Sequence, residues 1–148
     1  MSLYDTDFYA WSNAQAALLR SGRLAAADIE HIADEIESMG RSEKRELLSR
    51  LALLLMHLLK WQVQPTLHGN SWRATIKVQR REIARHLADN PSLSARLPEV
   101  LEDAYGDAVL LAARESGLAE SAFPSSNPWT FGEIMDDGFW PGPAEEGL

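Results

Sequence analysis

Among the residues that could do acid–base chemistry, His57 stands out because it interrupts the apolar stretch from Leu51 to Leu59. A buried imidazole must hydrogen-bond through at least one ring nitrogen, and a carboxylate partner would orient it as a general base or a ligand. Glu35, at the border of an apolar helix face, is the partner that we expect. The competing interpretation is structural, since a histidine on a polar stripe beside Arg50 and Lys60 is more often a satisfied residue of the fold.

A small-ligand pocket is the broader form of this hypothesis. Apolar walls with a few convergent polar groups are typical of ligand sites, and Lys60 or Arg73 would hold an anion. Tryptophan near helix ends also commonly packs beneath a loop, so that alternative stays open. A phosphate loop, a nucleophile elbow and a Ser/His/Asp order are missing, and no catalytic residue is predicted. The candidate pocket comprises His57, Glu35, Lys60, Trp61, Trp72 and Arg73.

Acidic side chains crowd the segment from Asp28 to Glu37, and His31 lies among them. A helical di-iron site would carry paired Glu-x-x-His spacings, which this segment lacks. Its acids face away from the isoleucines of the same helix, as a solvated face does. The chain has no cysteine, which excludes disulfides and zinc thiolates. We therefore predict no metal site and no cofactor.

The net charge of −8 is unevenly distributed, with −5 over residues 1–40, +7 over residues 41–96 and −10 over residues 97–148. The basic side chains from Arg73 to Arg85 form a stripe that could bind nucleic acid, with Trp72 as a stacking ring. Two acidic neighbours on the same chain compete with that stripe, which argues against nucleic acid as a partner. We interpret the layout as internal ion pairing between helices, and the acidic C-terminal region as a place for an external partner.

The elements that position these residues are predicted to be helices, because apolar residues recur at steps of three and four. We expect an all-α, single-domain bundle of about five helices with an irregular, aromatic-rich C-terminal tail that carries one short helix. Gly40 is expected to end the second helix, and Ser42 to cap the third. Along one face of the second helix lie Ile29, Ile32, Ile36 and Met39. The predicted helices are 5–21, 26–39, 42–64, 71–88 and 93–116, and the tail at 117–148 packs on the bundle.

Three local signals refine these boundaries. Ser71 is a good N-cap for the fourth helix. Pro98 predicts either a break near Leu97 or a position in the first turn of the fifth helix, and Gly117 ends that helix. Thr130 and Glu133 have the spacing of a capping box, which predicts a helix near 130–136.

Several phrases together resemble a bacterial family catalogued as domain of unknown function 29. The match spans nearly the whole chain and implies a single all-helical domain, with no activity, substrate, cofactor or catalytic residue attached. The phrases are Asp7-Phe-Tyr-Ala-Trp11, Glu35-Ile-Glu-Ser-Met-Gly40, Ser42-Glu-Lys-Arg45, Met56-His-Leu-Leu-Lys-Trp61, Ser71-Trp-Arg73, Gln79-Arg-Arg-Glu-Ile83 and Asp137-Gly-Phe-Trp-Pro141.

The leading interpretation of the function is a non-enzymatic helical module that associates with an unidentified protein partner or with itself. The alternatives are an enzyme or ligand-binding bundle that uses His57 and Glu35, and, more weakly, nucleic-acid binding through helix 71–88. The longest apolar run is about half of the roughly 20 residues that a membrane span needs, so no membrane association is expected. The acidic N-terminus lacks the features of an export signal, which predicts a cytoplasmic location.

Overall fold

A computed structural model describes residues 2–67 and 69–142, and all of the regular structure in these ranges is helical. The prediction of an all-α fold is confirmed. Short 3-10 turns occur at Leu24–Ala26, Pro65–Leu67, Pro91–Arg96 and Glu120–Ala122. The α-helices are α1 (Leu3–Thr6), α2 (Phe8–Arg20), α3 (Ile29–Val63), α4 (Asn70–Asp89), α5 (Leu97–Ser116) and α6 (Phe131–Met135).

Helix α3 runs without interruption through the point where two helices were expected. It contains 35 residues and passes through Gly40 and Ser42, so the predicted stop at Gly40 and the predicted cap at Ser42 are wrong. Gly40 does not take the left-handed backbone that ends a helix; among the described glycines only Gly22 and Gly117 have positive φ. A single glycine costs a helix about 1 kcal/mol, which the good helix formers on either side of it outweigh.

Other helix ends follow local capping. Asp7 divides the predicted first helix, and its carboxylate accepts the backbone N–H of Ala10 at 3.0 Å to cap α2. Helix α4 begins at Asn70 with Gly69 as its N-cap, which corrects the prediction of Ser71. Pro98 lies in the first turn of α5, after a 3-10 segment, so the second of its two predicted settings is the observed one.

The C-terminal signals are found where the sequence places them. Gly117 ends α5 in the left-handed conformation, with φ of 74°. Thr130 and Glu133 form a reciprocal capping box at the start of α6, which confirms the short helix in the tail. Residues 143–148 of the predicted tail lie outside the described residues.

The chain folds as two compact units, Met1–Ser42 and Glu43–Leu148, with the division inside α3. In the N-terminal unit Trp11 is the buried hydrophobic residue among those described. The apolar face at the start of α3 is largely open, because Ile29, Ile36 and Met39 are 53%, 63% and 67% exposed. The helices of this unit thus leave these three side chains uncovered.

The C-terminal unit contains the main hydrophobic core. The second half of α3 contributes mostly leucines, α4 contributes Ile76 and Ile83, and the tail adds Phe123, Trp129 and Ile134. Helices α3 and α4 run antiparallel, since Arg50 donates to Gln79 at 3.3 Å while Glu43, earlier on α3, contacts His86, later on α4. A 3-10 turn at Pro65–Leu67 follows α3, and the paired helices bring their side chains face to face.

In the described part of the chain, no helix combines the length and the apolar character that crossing a bilayer requires.

Candidate functional site

Four of the predicted pocket residues meet where α3 ends and α4 begins. The ammonium of Lys60 lies 4.5 Å from the ring centre of Trp72. The guanidinium of Arg73 lies 5.3 Å from the ring of Trp61 and 5.1 Å from that of Trp140. These distances are within the range of cation–π attraction. Because Lys60 and Trp61 are buried, the group is a packed stack of cations and rings.

The tail completes this stack. The rings of Trp140 and Trp61 lie 4.6 Å apart between centroids, with their planes tilted by 39°. Trp140 therefore packs against both helices, as an aromatic tail residue was expected to do. The sequence analysis placed Trp140 in the tail but did not connect it with the predicted pocket.

His57 lies one turn before this stack and is half-buried. Its Nδ1 is 2.9 Å from the carbonyl oxygen of Leu53, which accepts the imidazole N–H. Burial lowers the pKa of His57, and the nearby Lys60 cation lowers it further. The Lys60 ammonium is bound in turn by the Glu115 carboxylate at 2.9 Å, and this bond lowers the pKa of Glu115. The protonated form of His57 is therefore disfavoured, and its ring lies beside an ion pair.

Glu35 does not join His57. The two residues are on the same helix and 22 positions apart, which is about six turns. The carboxylate of Glu35 instead accepts the phenolic O–H of Tyr4 at 2.5 Å. The proton-transfer pair that the sequence analysis expected is therefore not formed, while the other five pocket residues lie within two neighbouring helix ends.

Arg80 binds the C-terminal tail. From the sequence it was predicted only as part of the basic stripe. It is 2% exposed, its Nε donates to the carbonyl oxygen of Ile134 at 2.8 Å, and its Nη2 donates to that of Phe139 at 2.7 Å. The guanidinium also faces the Trp140 ring at 5.3 Å. These partners are more than fifty residues away in sequence, so no local pattern could have found them.

The basic stripe of α4 is largely engaged within the chain. Arg80 binds the tail, Arg73 stacks on tryptophans, and Arg85 pairs with Glu82 at 3.4 Å. Lys77 and Arg81 remain exposed beside Asp137, which lines the same cavity of about 570 Å³. A phosphate group at this cavity would meet a carboxylate as well as two exposed cations.

A second polar cluster lies in the N-terminal unit. The Nδ1 of His31 is 2.6 Å from the carboxylate of Asp28, which also accepts the indole N–H of Trp11 at 3.2 Å. The hydrogen bond that His31 donates to Asp28 raises the pKa of His31, and the same bond lowers the pKa of Asp28. From the sequence, His31 was placed among the acidic residues but was not paired with Asp28. The missed signal is that Asp28 precedes α3, where its carboxylate also accepts the backbone N–H of His31.

A third cluster joins the two long helices of the C-terminal unit. Glu43 and Glu46 are one turn apart on α3, and His86 faces them from α4. One ligand atom from each lies within 4.8 Å of the other two. Imidazole and carboxylate groups are among the ligands that metal ions take in proteins. No metal site was predicted from the sequence. These three residues could not be recognised as a cluster there, because they come together only when α3 and α4 pair.

The described residues define a small protein whose regular structure is entirely helical. The family model of the domain of unknown function DUF29 matches residues 3–140. The chain therefore belongs to this family, and the resemblance noted from its sequence phrases is confirmed. Neither the curated proteins nor the solved structures provide a match.

Proposed function

We propose that this protein is a non-enzymatic interaction module that binds a second copy of itself through the first turns of α3. The surface concerned is the α3 stripe, which consists of Ile29, Ile32, Ile36 and Met39. Its spacing of three, four and three residues is that of the a and d positions of a coiled coil. The observation that carries the proposal is the exposure of this stripe, with Ile36 and Met39 open to solvent by 63% and 67%.

The charges beside the stripe fit a second copy of the same helix. The acids Glu30, Asp34 and Glu37 fall at outer positions of the heptad, away from the seam. Ala33, Gly40 and Ser42 flank the seam without charge. Glu35 is the remaining flanking residue, and its carboxylate already accepts a hydrogen bond from Tyr4 of the same chain. Two copies can therefore approach through this face although the N-terminal segment is acidic overall.

Gly40 also supports a second copy of the chain as the partner. It has an ordinary helical φ, and a Cβ built on it would meet no other atom within 4 Å. Within a single chain, glycine at this position relieves neither a steric clash nor a strained backbone. It only makes the helix less stable than alanine would. Glycine does allow another backbone to approach closely. A helix of a second copy, packed along the α3 stripe, would use that space.

Sedimentation equilibrium of the whole chain across the micromolar range tests the proposal. We expect a reversible dimer in the wild type and at least about tenfold weaker association in Ile36→Asp, because a buried charge at the seam is costly. Gly40→Ala should weaken association as well. Val78→Asp is the matched control, since Val78 is an exposed apolar residue on α4, and it should leave the dimer unchanged.

Two results would overturn the proposal. A chain that stays monomeric at every concentration has no second copy as its partner. A dimer that persists in Ile36→Asp uses another surface. Circular dichroism spectra of both variants establish that they fold, which is expected because Ile36 and Val78 are exposed.

A further inference from the structure

We propose that Glu43, Glu46 and His86 bind one divalent transition-metal ion; these three residues are called the His86 site. The site belongs to the C-terminal unit, shares no residue with the α3 stripe and is independent of the proposed self-association. Each residue offers a ligand atom, and the three atoms lie within 4.8 Å of one another. The Glu43 carboxylate lies 3.5 Å from Nε2 of His86 and would have to move toward the Nδ1 side to share a zinc ion with bonds of about 2.0–2.2 Å; the exposed side chains of Glu43 and Glu46 allow this.

The hydrogen bonding of His86 points to a cation. Its side chain is 9% exposed, and its Nε2 is 2.8 Å from the carbonyl oxygen of Glu43. A carbonyl oxygen only accepts, so Nε2 carries the proton and donates it, and a neutral ring then presents a lone pair at Nδ1. This Nδ1 lies 3.2 Å from Oε2 of Glu46, which also only accepts. Two facing lone pairs require a positive charge between them, either a metal ion or a second proton on the ring.

The groups that hydrogen-bond to His86 and Glu46 resemble those around the ligands of a metal site. Metal-binding histidines usually donate their other N–H to a carbonyl or a carboxylate, as His86 does to the Glu43 carbonyl. Arg50 donates to Oε1 of Glu46 from Nη2 at 3.1 Å and from Nε at 3.3 Å. This bond occupies one oxygen of Glu46 and turns the other toward His86. The ring and the carboxylate are thus both oriented by groups that would not themselves touch the ion.

The cavity around the site favours a cation. It has a volume of about 370 Å³, and Glu82 and Asp89, which share a face of α4 with His86, also line it. The four carboxylates outnumber the two guanidinium groups of the lining, Arg50 and Arg85. The cavity therefore attracts positive charge and leaves room for water as a further ligand. One imidazole nitrogen with two carboxylates suits Zn²⁺ or Mn²⁺ better than Ca²⁺, which prefers oxygen alone.

Titration calorimetry of the chelator-treated full chain with Zn²⁺ and with Mn²⁺ tests the site. We expect one equivalent of Zn²⁺ to bind, and Mn²⁺ to bind the same site more weakly. Glu46→Gln removes a charged ligand at nearly constant shape and should weaken Zn²⁺ binding at least about tenfold. Glu37→Gln is the matched control, because Glu37 is an exposed acid on the same helix that pairs with Arg41 at 3.9 Å.

The imidazole resonances distinguish the metal from the second proton. When Zn²⁺ binds, His86 should lose any proton at Nδ1, and its nitrogen signal should shift to that of a metal-bound ring. Three outcomes would overturn the proposal: no saturable binding in the wild type, equal affinity in Glu46→Gln, or a His86 ring that stays protonated at both nitrogens under saturating Zn²⁺. Glu43→Gln provides a second test of the ligand set if Glu46→Gln fails to fold.

Discussion

The ring of Tyr4 stacks on the imidazole of His31, with the ring centres 4.0 Å apart and the planes within 10° of parallel. The phenolic O–H of Tyr4 reaches Glu35, and this hydrogen bond raises the pKa of Tyr4 to about 12. Tyr4 thus binds α3 through both its ring and its hydroxyl group. The short α1 is held against α3 by this one side chain, with the edges of Phe8 and Trp11 completing the aromatic cluster.

His31 should titrate at a higher pH than His57. The carboxylate of Asp28 stabilises the protonated ring of His31, whereas burial and Lys60 disfavour the protonated ring of His57. Nuclear magnetic resonance titration of the histidine rings measures both values. In Asp28→Asn the pKa of His31 should fall toward its ordinary value, while that of His57 stays where it is. A His31 that titrates below His57 in the wild type contradicts this assignment.

The His57→Leu variant should remove one source of acid sensitivity. Because the pKa of His57 is lowered in the folded chain, the unfolded chain binds more protons once the pH nears the ordinary value of 6.5. The contribution of His57 to the free energy of unfolding is therefore full above that pH and declines as the pH falls toward the lowered value. Urea unfolding at a series of pH values measures it. The stability of wild type relative to His57→Leu should fall on acidification, and a rise would show that the sign is wrong.

Arg80→Lys should destabilise the chain by about 2 kcal/mol or more, since a lysine cannot donate to two carbonyl oxygens from one planar group. The tail carbonyls of Ile134 and Phe139 lose their donors, so protease should cut the tail faster than in the wild type. Urea unfolding and limited proteolysis measure the two effects. Arg81→Lys, at the exposed neighbouring position, should change stability by less than about 0.5 kcal/mol. Equal effects of the two substitutions would refute the role of Arg80.

Gly40→Ala should stabilise the isolated chain by about 0.5–1 kcal/mol, because alanine is the better helix former and its Cβ meets nothing within 4 Å. Thermal unfolding at low protein concentration measures the effect. Gly117→Ala is the opposite case and should destabilise, since Gly117 has φ of 74° at the end of α5. A destabilised Gly40→Ala would mean that the fold itself requires glycine at this position.

Much of the helical fold follows from local sequence. Periodicity identified the helices of the C-terminal unit, and capping chemistry placed the end of α5 at Gly117 and the start of α6 at Thr130. The failure at Gly40 has a physical reason: glycine ends a helix only where the chain also turns left-handed, and its sequence neighbours do not reveal whether it does. The exposed face of α3 could not be foreseen, because an apolar stripe shows the same pattern whether its cover comes from this chain or from another.

The candidate sites depended more on pairing between distant segments. The cation–ring stack was partly predictable, because Lys60, Trp61, Trp72 and Arg73 flank one short connection between two helices. The partner of His57 was not, since the backbone carbonyl of Leu53 accepts its N–H in place of a carboxylate, and residue types give no sign of that choice. The His86 site and the bonds of Arg80 join residues 40 to 59 positions apart. Such contacts exist only after the helices have packed.

The bonds of Arg80 also set an order for biosynthesis. Arg80 is translated well before Ile134 and Phe139. Its guanidinium needs the carbonyl oxygens of these two residues as acceptors when it is buried. Until the ribosome has added those residues, the α3–α4 pair carries a charged group without its acceptors and leaves the leucines beneath the tail uncovered. The nascent chain can therefore complete this part of its core only after Phe139 has been added. A translation stall before Phe139 would release an aggregation-prone fragment.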